Sequence, residues 1–365
     1  MRFSVSQSEL SNAISVVHKG VSNHSTLPIL SGMLLRAEEG NLTMQATDLD
    51  SSIEYVIPAL IEEEGSVVVP AKLFNEVVRS LPDSAVHVET KGTEASITCQ
   101  ASSFSIRTMD AVDFPGFPSV EALQQITLPF AEFSRMVKRV GRVVSKDESR
   151  AVLTGVLITV EEGRVRMVAT DSYRIAITES TVEATEAEFQ GIISGAFLTN
   201  IASLSAPADE ITISLSENQV MIRCGSTTFI NRVIEGNYPN YKQLLPHEYA
   251  TKVTFSREAL LSALKRTSLL SGNAAPIKFD VSAETQSVNL YTLTQDVGAA
   301  QETVKCPVEG ESLSIGFNYS YLSEGLSVIK EKEVSLEIQT PTKPGIFKAP
   351  EDNFLYLVMP VRLSF

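Results

Sequence analysis

Phe3-Ser-Val5, followed by Glu9, Leu10 and Ile14, is a pattern that this chain contains three times. Each copy is typical of a short alternating strand that runs into an amphipathic helix. A repeat of this length indicates a whole domain, because solenoid repeats run to about 20–50 residues. The later copies begin 123 and 250 residues further on, and they are Ile126-Thr-Leu128 with Glu132, Phe133 and Val137, and Val253-Thr-Phe255 with Leu260 and Leu264.

Other landmarks keep the same spacing. Ala46-Thr47-Asp48 returns as Ala169-Thr170-Asp171 after 123 residues, and Cys99 returns as Cys224 after 125. Matches in the same order along whole segments indicate true repetition. We therefore predict three similar domains, at residues 1–122, 123–249 and 250–365.

The pattern within the first domain predicts an α+β fold. Helices are expected at about residues 7–19 and 71–81, and Pro70 opens the second of them. Two helices among many antiparallel strands indicate helices packed on one face of the sheets. The strands are expected at residues 30–37, 41–47, 52–57, 85–90, 95–100 and 103–108.

The composition is that of an ordinary globular protein, with 43% hydrophobic residues in 365. No apolar run approaches the roughly 18–20 residues of a membrane span, and the N-terminus does not resemble a signal peptide. Cys99, Cys224 and Cys306 lack the spacing of a metal site. We expect a cytoplasmic protein whose cysteines are buried and reduced.

The charges are unevenly distributed in a chain whose net charge is −14. Residues 135–150 contain six basic residues and only two acidic ones, and Lys265 and Arg266 repeat the positions of Lys138 and Arg139. A basic helix face is often just solvated, but its recurrence at equivalent positions leaves that interpretation and a nucleic-acid surface about equally supported.

A search for catalytic chemistry finds little. The chain has no nucleophile-elbow motif, no phosphate-binding glycine loop and no zinc-protease motif, so no catalytic residue, metal or cofactor is predicted. Asp48 and Asp171 are expected to form turns through their side chains. The apolar C-terminal run from Phe354 to Phe365 predicts either a last core strand or the wall of a groove for a partner peptide.

Several motifs resemble the bacterial replicative sliding clamp, the β subunit of DNA polymerase III. They are Thr26-Leu-Pro-Ile-Leu30, Ala169-Thr-Asp-Ser-Tyr-Arg174, Gly236-Asn-Tyr-Pro-Asn-Tyr241, Ile315-Gly-Phe-Asn318 and Val358-Met-Pro-Val-Arg-Leu363. The resemblance covers essentially the whole chain. It implies a non-catalytic processivity factor in which two three-domain subunits close head to tail into a six-domain ring, with basic helices facing the enclosed duplex DNA.

The resemblance also implies a groove that binds short peptide motifs of the polymerase III catalytic subunit, the clamp loader and repair proteins. The family often has Gly-His where this chain has Ser172-Tyr173. A basic residue is common in place of Gln243, and Ser364-Phe365 extends beyond the usual final leucine. The implied groove residues are Arg150, Leu153, Thr170, Ser172, Tyr173, Arg174, Ile175, Pro239, Gln243, Leu244, Asn318, Tyr321, Val358, Met359, Pro360, Val361 and Arg362.

Two further surfaces follow from the resemblance. Sequence-independent contacts with duplex DNA are implied for His24, Lys138, Arg139, Arg142, Lys146, Arg150, Lys265 and Arg266. The homodimer interface is implied for Phe104, Ile106, Arg107, Leu269, Leu270, Asp296 and Glu302.

Two other functions are weighed against the clamp. A repeat-built enzyme would need a convergent acid, base and nucleophile, which the sequence does not provide. A protein-interaction scaffold that never encircles DNA would not need basic residues at recurring helix positions. The size of the particle in solution, together with its retention on circular DNA, would separate these alternatives.

Overall fold

The computed structural model of this protein describes residues 1–22, 27–121, 124–182, 186–205, 208–246, 248–270, 276–294, 297–350 and 353–363. His24, Asp296, Ser364 and Phe365 lie outside the described residues.

The secondary structure repeats three times along the chain. The first repeat contains β1 (Arg2–Ser6), α1 (Gln7–Val17), β2 (Gly32–Glu38), β3 (Asn41–Thr47), β4 (Ser51–Pro58), β5 (Leu60–Glu63), β6 (Gly65–Pro70), α2 (Ala71–Ser80), β7 (Ala85–Lys91), β8 (Glu94–Cys99) and β9 (Ser102–Arg107). The second contains β10 (Gln124–Pro129), α3 (Phe130–Val140), β11 (Gly155–Glu161), β12 (Arg164–Thr170), β13 (Arg174–Thr181), β14 (Phe189–Ser194), α4 (Gly195–Ala202), β15 (Glu210–Leu215), β16 (Gln219–Cys224) and β17 (Thr227–Arg232). The third contains β18 (Thr251–Ser256), α5 (Arg257–Thr267), β19 (Pro276–Ser282), β20 (Ser287–Thr294), β21 (Gly298–Lys305), β22 (Val308–Gly310), β23 (Leu313–Asn318), α6 (Tyr319–Ser327), β24 (Glu333–Ile338), β25 (Gly345–Lys348) and β26 (Phe354–Val358).

The predicted α+β class, with two α-helices and antiparallel strands in each repeat, is confirmed. In the first and third repeats, the first helix begins where a serine ends the preceding strand. The Ser6 hydroxyl accepts a hydrogen bond from the Glu9 N–H, and the Ser256 hydroxyl accepts one from the Ala259 N–H. These contacts satisfy amides that would otherwise lack a partner at the helix start. Leu10 and Ile14 then bury the apolar face of α1.

The chain divides into two compact units, of which the first comprises residues 1–133 and 203–233. Its two antiparallel sheets have the strand orders β5-β1-β7-β8-β9 and β10-β15-β16-β17-β4-β3-β2-β6. The larger sheet combines strands of the first and second repeats. They meet where β17 pairs with β4, with Phe229 opposite Ile53.

The second unit comprises residues 134–202 and 234–365. Its sheets have the orders β14-β11-β12-β13-β26-β25-β24-β18-β22 and β21-β20-β19-β23. The larger sheet joins the second and third repeats where β13 pairs with β26, with Ala176 opposite Tyr356. Each of these two large sheets therefore contains one seam between repeats, and the strands at both seams occupy equivalent positions.

The first part of the C-terminal run is a core strand, which is one of the two structures that the sequence left open. Phe354, Leu357 and Val358 of β26 are buried within the nine-stranded sheet, as a core strand requires. Beyond it, the Met359 N–H donates to the Tyr173 carbonyl at 2.8 Å, and the Val361 N–H donates to the Gly316 carbonyl at 2.9 Å. These bonds hold residues 359–361 at the end of the sheet, beside the turn that precedes β13.

The three cysteines are buried and unbridged, as predicted. The thiol of Cys99 donates to the Pro82 carbonyl at 3.5 Å, and the thiol of Cys224 donates to the Glu210 carbonyl at 3.7 Å. Burial raises the pKa of both Cys224 and Cys306 to about 11.

Candidate functional site

The turn between β12 and β13 is formed by side chains that bond to the backbone. Asp171 Oδ1 accepts from the N–H groups of Tyr173 and Arg174 at 2.9 and 3.1 Å. Thr170 Oγ1 donates to the Arg174 carbonyl at 2.8 Å, and Ser172 adopts a positive φ of 79°. The predicted turn-forming role of Asp171 is therefore confirmed, and the strained backbone at Ser172 fixes the direction of Tyr173.

The same turn occurs in the first repeat. Asp48 Oδ1 accepts from the N–H groups of Asp50 and Ser51, and Leu49 has the same φ of 79°. Between the strands, only the aspartate is shared by the two turns, and at the last position Ser51 stands where the second repeat has Arg174. The turn is thus a feature of the fold, and the arginine is an addition specific to the second repeat.

Arg174 lies at the centre of a network within the second unit. Its guanidinium donates to Asp171 Oδ2 at 3.0 Å, to Glu324 Oε2 at 2.6 Å and to the Arg142 carbonyl at 3.0 Å. The side chain is only 7% exposed. A guanidinium can donate to several acceptors at once because its N–H groups lie in one plane, and the ammonium group of a lysine cannot replace this arrangement. Arg174 thereby ties the turn to helix α6 and to the end of α3.

The electrostatics of this network keep Arg174 charged. Burial opposes the charge, but the Tyr356 hydroxyl and the Glu324 and Asp171 carboxylates outweigh burial and raise the pKa of Arg174 above its ordinary value. Burial also raises the pKa of Tyr356, whose hydroxyl donates to the Tyr321 carbonyl at 2.8 Å. Glu324 and Tyr356 were not identified from the sequence, because no local pattern links them to residue 174.

An aromatic pair borders the site on the side of α6. The rings of Tyr173 and Tyr321 stack with centroids 6.3 Å apart, and the Arg174 guanidinium lies 4.5 Å from the Tyr321 ring centre. Asn318 positions Tyr321 by accepting from the N–H groups of Ser320 and Tyr321 at the start of α6. Tyr173 is 59% exposed, so a large apolar surface at this rim faces solvent.

The apolar floor of the site is buried. Ile175 and Leu357 are opposite each other across the seam of the nine-stranded sheet, and Met359 packs against the cluster to which both belong. Leu153, Thr170 and Val358 are also buried. These residues were expected to line a groove. Because little of their surface is exposed, they can only form the layer beneath it.

A cavity of about 560 Å³ opens beside this floor and is lined by Gln243, Leu244 and Met359. Lys343 and Pro344, which the sequence did not identify, form another part of its lining. Leu244 is 49% exposed. Pro239 and Arg362 are exposed, and Pro360 and Val361 are half-buried. The expected groove residues of the second and third repeats therefore surround one region of the second unit.

A further cavity of about 660 Å³ adjoins the aromatic pair. Tyr173 and Tyr321 line one part, and the basic residues Arg142, Lys146 and Arg150 line another. Arg150 Nη1 donates to the Ser172 hydroxyl at 3.0 Å, and Arg150 Nε lies 3.2 Å from Asp147 Oδ2. The basic residues expected to contact DNA thus lie close to the residues expected to bind peptides.

Helix α3 contains exposed basic residues, but Arg139 is a correction to the predicted set. Lys138, Arg142 and Lys146 are exposed. Arg139 is only 3% exposed, with its guanidinium 5.1 Å from the centre of the Phe354 ring and Nη1 at 3.4 Å from Thr178 Oγ1. A side chain in this position cannot contact a DNA phosphate. It lies one turn after the buried Met136, on the apolar side of the helix.

In the third repeat, Lys265 and Arg266 are both exposed on α5. Arg266 Nε donates to Glu302 Oε2 at 2.9 Å, so Glu302 is bound within its own chain. A hydrogen bond from Arg266 lowers the pKa of Glu302. Part of the charge expected to face DNA is therefore neutralised locally, and Glu302 is not a free acid for a partner subunit.

The residues expected at a dimer interface include exposed apolar side chains. Leu269 is 76% exposed and Phe104 is 37% exposed, whereas Ile106 is buried. Arg107 is exposed and Leu270 is half-buried. Phe104 lies on the edge strand β9, and Leu269 lies in the short turn that follows α5.

Within the described residues, no group of three or more His, Cys, Asp or Glu side chains has the geometry of a metal site. Across the same residues, no helix has the length and apolarity required to span a membrane.

Fold and repeat together define a chain of the DNA-clamp class, with three similar α+β domains. Models of the N-terminal, central and C-terminal domains of the DNA polymerase III beta subunit match residues 1–118, 127–240 and 242–362. The chain belongs to this family of bacterial replicative sliding clamps.

Known members are similar over their whole length. The beta sliding clamp of Synechocystis sp. is 30% identical over 390 residues, and the match covers 100% of both chains. The crystal structure of the Bacillus subtilis DNA polymerase sliding clamp has a TM-score of 0.95 at 28% identity, again with 100% of both chains covered. A Pseudomonas aeruginosa clamp solved bound to griselimycin has a TM-score of 0.94 at 27% identity and the same coverage.

Proposed function

We propose that this protein is the processivity factor of a bacterial replicative DNA polymerase. Two copies close head to tail into a ring of six domains, with domain boundaries near residues 122/123 and 249/250. The ring encircles duplex DNA and slides on it, and its groove tethers the polymerase, the clamp loader and repair proteins. In this role the protein is a non-catalytic subunit that works in the cytoplasm.

The observation that carries the ring proposal is a pair of unmatched sheet edges. β9 occupies the position in its sheet that β17 and β26 occupy at the seams, and β21 occupies that of β4 and β13. Within the described residues, β9 and β21 are each the last strand of a sheet, and neither has a strand on its outer side. Open edges are normally protected in natural proteins. Pairing β9 of one copy with β21 of another would form a third kind of seam, equivalent to the other two.

The repeat predicts the register of this pairing. Leu35 is opposite Met44, Ile158 opposite Met167 and Phe279 opposite Leu290, which makes Met44, Met167 and Leu290 equivalent. In the next strand, Tyr55, Thr178 and Glu302 lie opposite these three residues, so they are equivalent to one another as well. At the existing seams, Tyr55 is paired with Thr227, and Thr178 is paired with Phe354. By the same offset, Glu302 of one copy should lie opposite Ser102 of the other, and Ala300 opposite Phe104.

The physical properties of both edges agree with this pairing. The offset places Ile106 opposite Gly298, where a side chain on the glycine would lie 3.8 Å from Leu270 Cδ1. The missing side chain leaves room for the partner's Phe104 to pack on Leu269 and Leu270. Burying these exposed apolar groups would stabilise the dimer by roughly 25 cal/mol for each Å² removed from water.

The DNA-binding part of the proposal rests on charge. Lys138, Arg142, Lys146, Arg150 and Lys265 are exposed basic residues in a chain with a net charge of −14. Binding by encirclement needs only weak phosphate contacts, which carry no sequence information and allow sliding. A polymerase held by such a ring stays at high effective concentration near its primer end.

The groove is supported by exposed Tyr173 and Leu244 beside a buried apolar floor, with cavities of about 560 and 660 Å³. An extended peptide could place apolar side chains against this floor and bond its backbone to the polar rim. The related Pseudomonas aeruginosa clamp was solved bound to griselimycin, so a member of the family accepts a ligand.

Cysteine cross-linking across the proposed seam tests ring closure. Ser102→Cys combined with Glu302→Cys should form a disulfide between two copies under mild oxidation, because a directly opposed pair lies within disulfide reach. The native thiols are buried and should remain unreactive. Ser102→Cys with Gln301→Cys is the control, since residue 301 faces the other side of β21. Cross-links of equal yield in both variants, or in neither, would contradict the proposed register.

A further inference from the structure

A third concavity in the second unit lies on the nine-stranded sheet beside the groove. It has a volume of about 590 Å³. Ile177 and Leu355, which are opposite each other across the seam between β13 and β26, form an apolar floor. The segment from Tyr241 to Leu245 forms one wall. We call this concavity the outer pocket.

Three basic side chains from separate elements line the outer pocket: Arg166 of β12, Lys242 of the wall segment and Lys348 of β25. Among the described lining residues the only carboxylate is that of Glu179. Arg166 and Lys348 each have a carboxylate partner, Glu179 and Glu337, so Lys242 provides the charge that these pairs do not balance. Three cationic groups around one concavity favour an anionic ligand.

The basic groups remain available to a ligand. Arg166 Nε lies 2.5 Å from Glu179 Oε1, and Lys348 Nζ lies 2.6 Å from Glu337 Oε2, but both cations are partly exposed. Each cation has further N–H donors besides the one in its ion pair, and these can bond to an incoming carboxylate while the pair is kept. Lys242 is exposed, and in the described part of the chain no carboxylate lies within ion-pair distance of it.

We propose that the outer pocket binds an acidic peptide segment of a partner protein, with one bulky apolar side chain on Ile177 and Leu355 and flanking carboxylates at Arg166, Lys242 and Lys348. A nucleic-acid backbone offers the charge but no side chain for the apolar floor. The volume of the pocket lies within the range of about 300–1,000 Å³ that is usual for ligand sites.

The position of the pocket shows how a partner reaches it. Leu245 lines both the outer pocket and the 560 Å³ cavity of the groove. The two therefore lie on opposite sides of one short segment. A partner anchored in the groove can place a neighbouring acidic stretch in the outer pocket, and the inference therefore goes beyond the proposed peptide groove by adding a second point of attachment.

The test uses a fluorescein-labelled peptide with one bulky apolar residue, Asp-Asp-Ser-Phe-Asp-Asp, titrated against the full chain at low salt. Lys242→Glu combined with Lys348→Glu should weaken binding at least about tenfold, because like charges repel the peptide. Lys330→Glu combined with Lys332→Glu, at two exposed lysines elsewhere in the second unit, is the matched control and should retain affinity within about twofold. Urea unfolding confirms that each variant is folded.

Three arms distinguish the possible outcomes. Replacing the phenylalanine of the peptide by serine should also reduce binding, as contact with Ile177 and Leu355 requires. Tyr173→Ala, which alters the groove, should leave the affinity unchanged. Equal affinity for the double variant and the wild type would overturn the proposal, and so would loss of binding in Tyr173→Ala. Displacement by duplex DNA with the same dependence on Lys242 and Lys348 would identify a nucleic-acid surface instead and also overturn it.

Discussion

The Arg174 guanidinium lies 4.5 Å from the centre of the Tyr321 ring, on a side chain that also reaches Asp171, Glu324 and the Arg142 carbonyl. This one residue connects the turn before β13, helix α6 and the end of α3. Tyr321 in turn stacks on Tyr173, and this contact restrains the ring of Tyr173. A buried cation therefore holds the rim of the proposed groove in place.

Arg174→Lys should lower both stability and peptide affinity. Lysine keeps the charge but cannot reach the carboxylates and the carbonyl together, so the free energy of unfolding should fall by about 2 kcal/mol. Urea unfolding and titration with a polymerase-tail peptide measure the two effects. Arg164→Lys, at the exposed first residue of β12, is the control and should change stability by less than about 0.5 kcal/mol. An Arg174→Lys variant as stable as wild type would contradict the proposed role of the network.

Arg139 on α3 and Arg142 in the turn that follows it should behave in opposite ways. Arg142→Ala, and separately Lys146→Ala, should each reduce the log–log salt slope of DNA binding by about one while leaving stability nearly unchanged. Arg139→Ala should preserve the slope and lower the free energy of unfolding by about 2 kcal/mol, because its cation–ring contact with Phe354 is buried. A reduced slope in Arg139→Ala alone would show that this side chain reaches DNA after all.

Leu269→Asp should weaken the dimer. Placing a carboxylate where an exposed leucine is expected to pack on Phe104 of another copy should cost about 2 kcal/mol or more, about thirtyfold in the dimer dissociation constant. Analytical ultracentrifugation over a range of concentrations measures this constant. Val112→Asp is the matched control, since Val112 is 87% exposed but lies outside the proposed interface. Equal dissociation constants for the two variants would place the interface elsewhere.

The groove can be tested with side chains whose loss leaves the core intact. Tyr173→Ala and Leu244→Asp alter exposed groups, and each should weaken binding of a polymerase-tail peptide by about thirtyfold. Aspartate at Leu153 or Val358 would be less informative, because both residues are buried and the variant would be destabilised. Tyr249→Ala removes a comparably exposed tyrosine and should bind the peptide normally. Full affinity in both groove variants would mean that the groove is misplaced.

Local patterns were enough to predict much of the fold. The helix predicted at about residues 71–81 is observed at Ala71–Ser80, and the strand predicted at 41–47 has those bounds. These elements follow from alternation, helical spacing and Pro70 at the start of α2, all of which are local properties. The equivalence of Asp48 and Asp171 likewise predicted two turns of the same design.

What the sequence could not provide depends on distant contacts. Glu324 and Tyr356 lie 150 and 182 residues from Arg174, so no local pattern connects them to it. Arg139 was misassigned because its charge was considered without its position. Its spacing of three residues from Met136, a buried residue, places it on the apolar side of α3, and that periodicity was a usable indication. The outer pocket joins residues of four separate segments and has no sequence signature.

The most direct test of the central claim is retention on circular DNA. The protein is loaded onto nicked circular DNA by its clamp loader, free protein is removed, and the fraction that remains bound is measured before and after a restriction enzyme linearises the DNA. A ring that encircles the duplex should stay on the circle and slide off the linear product within minutes, even at salt concentrations that abolish ordinary phosphate binding. Retention that is unchanged by linearisation would contradict encirclement.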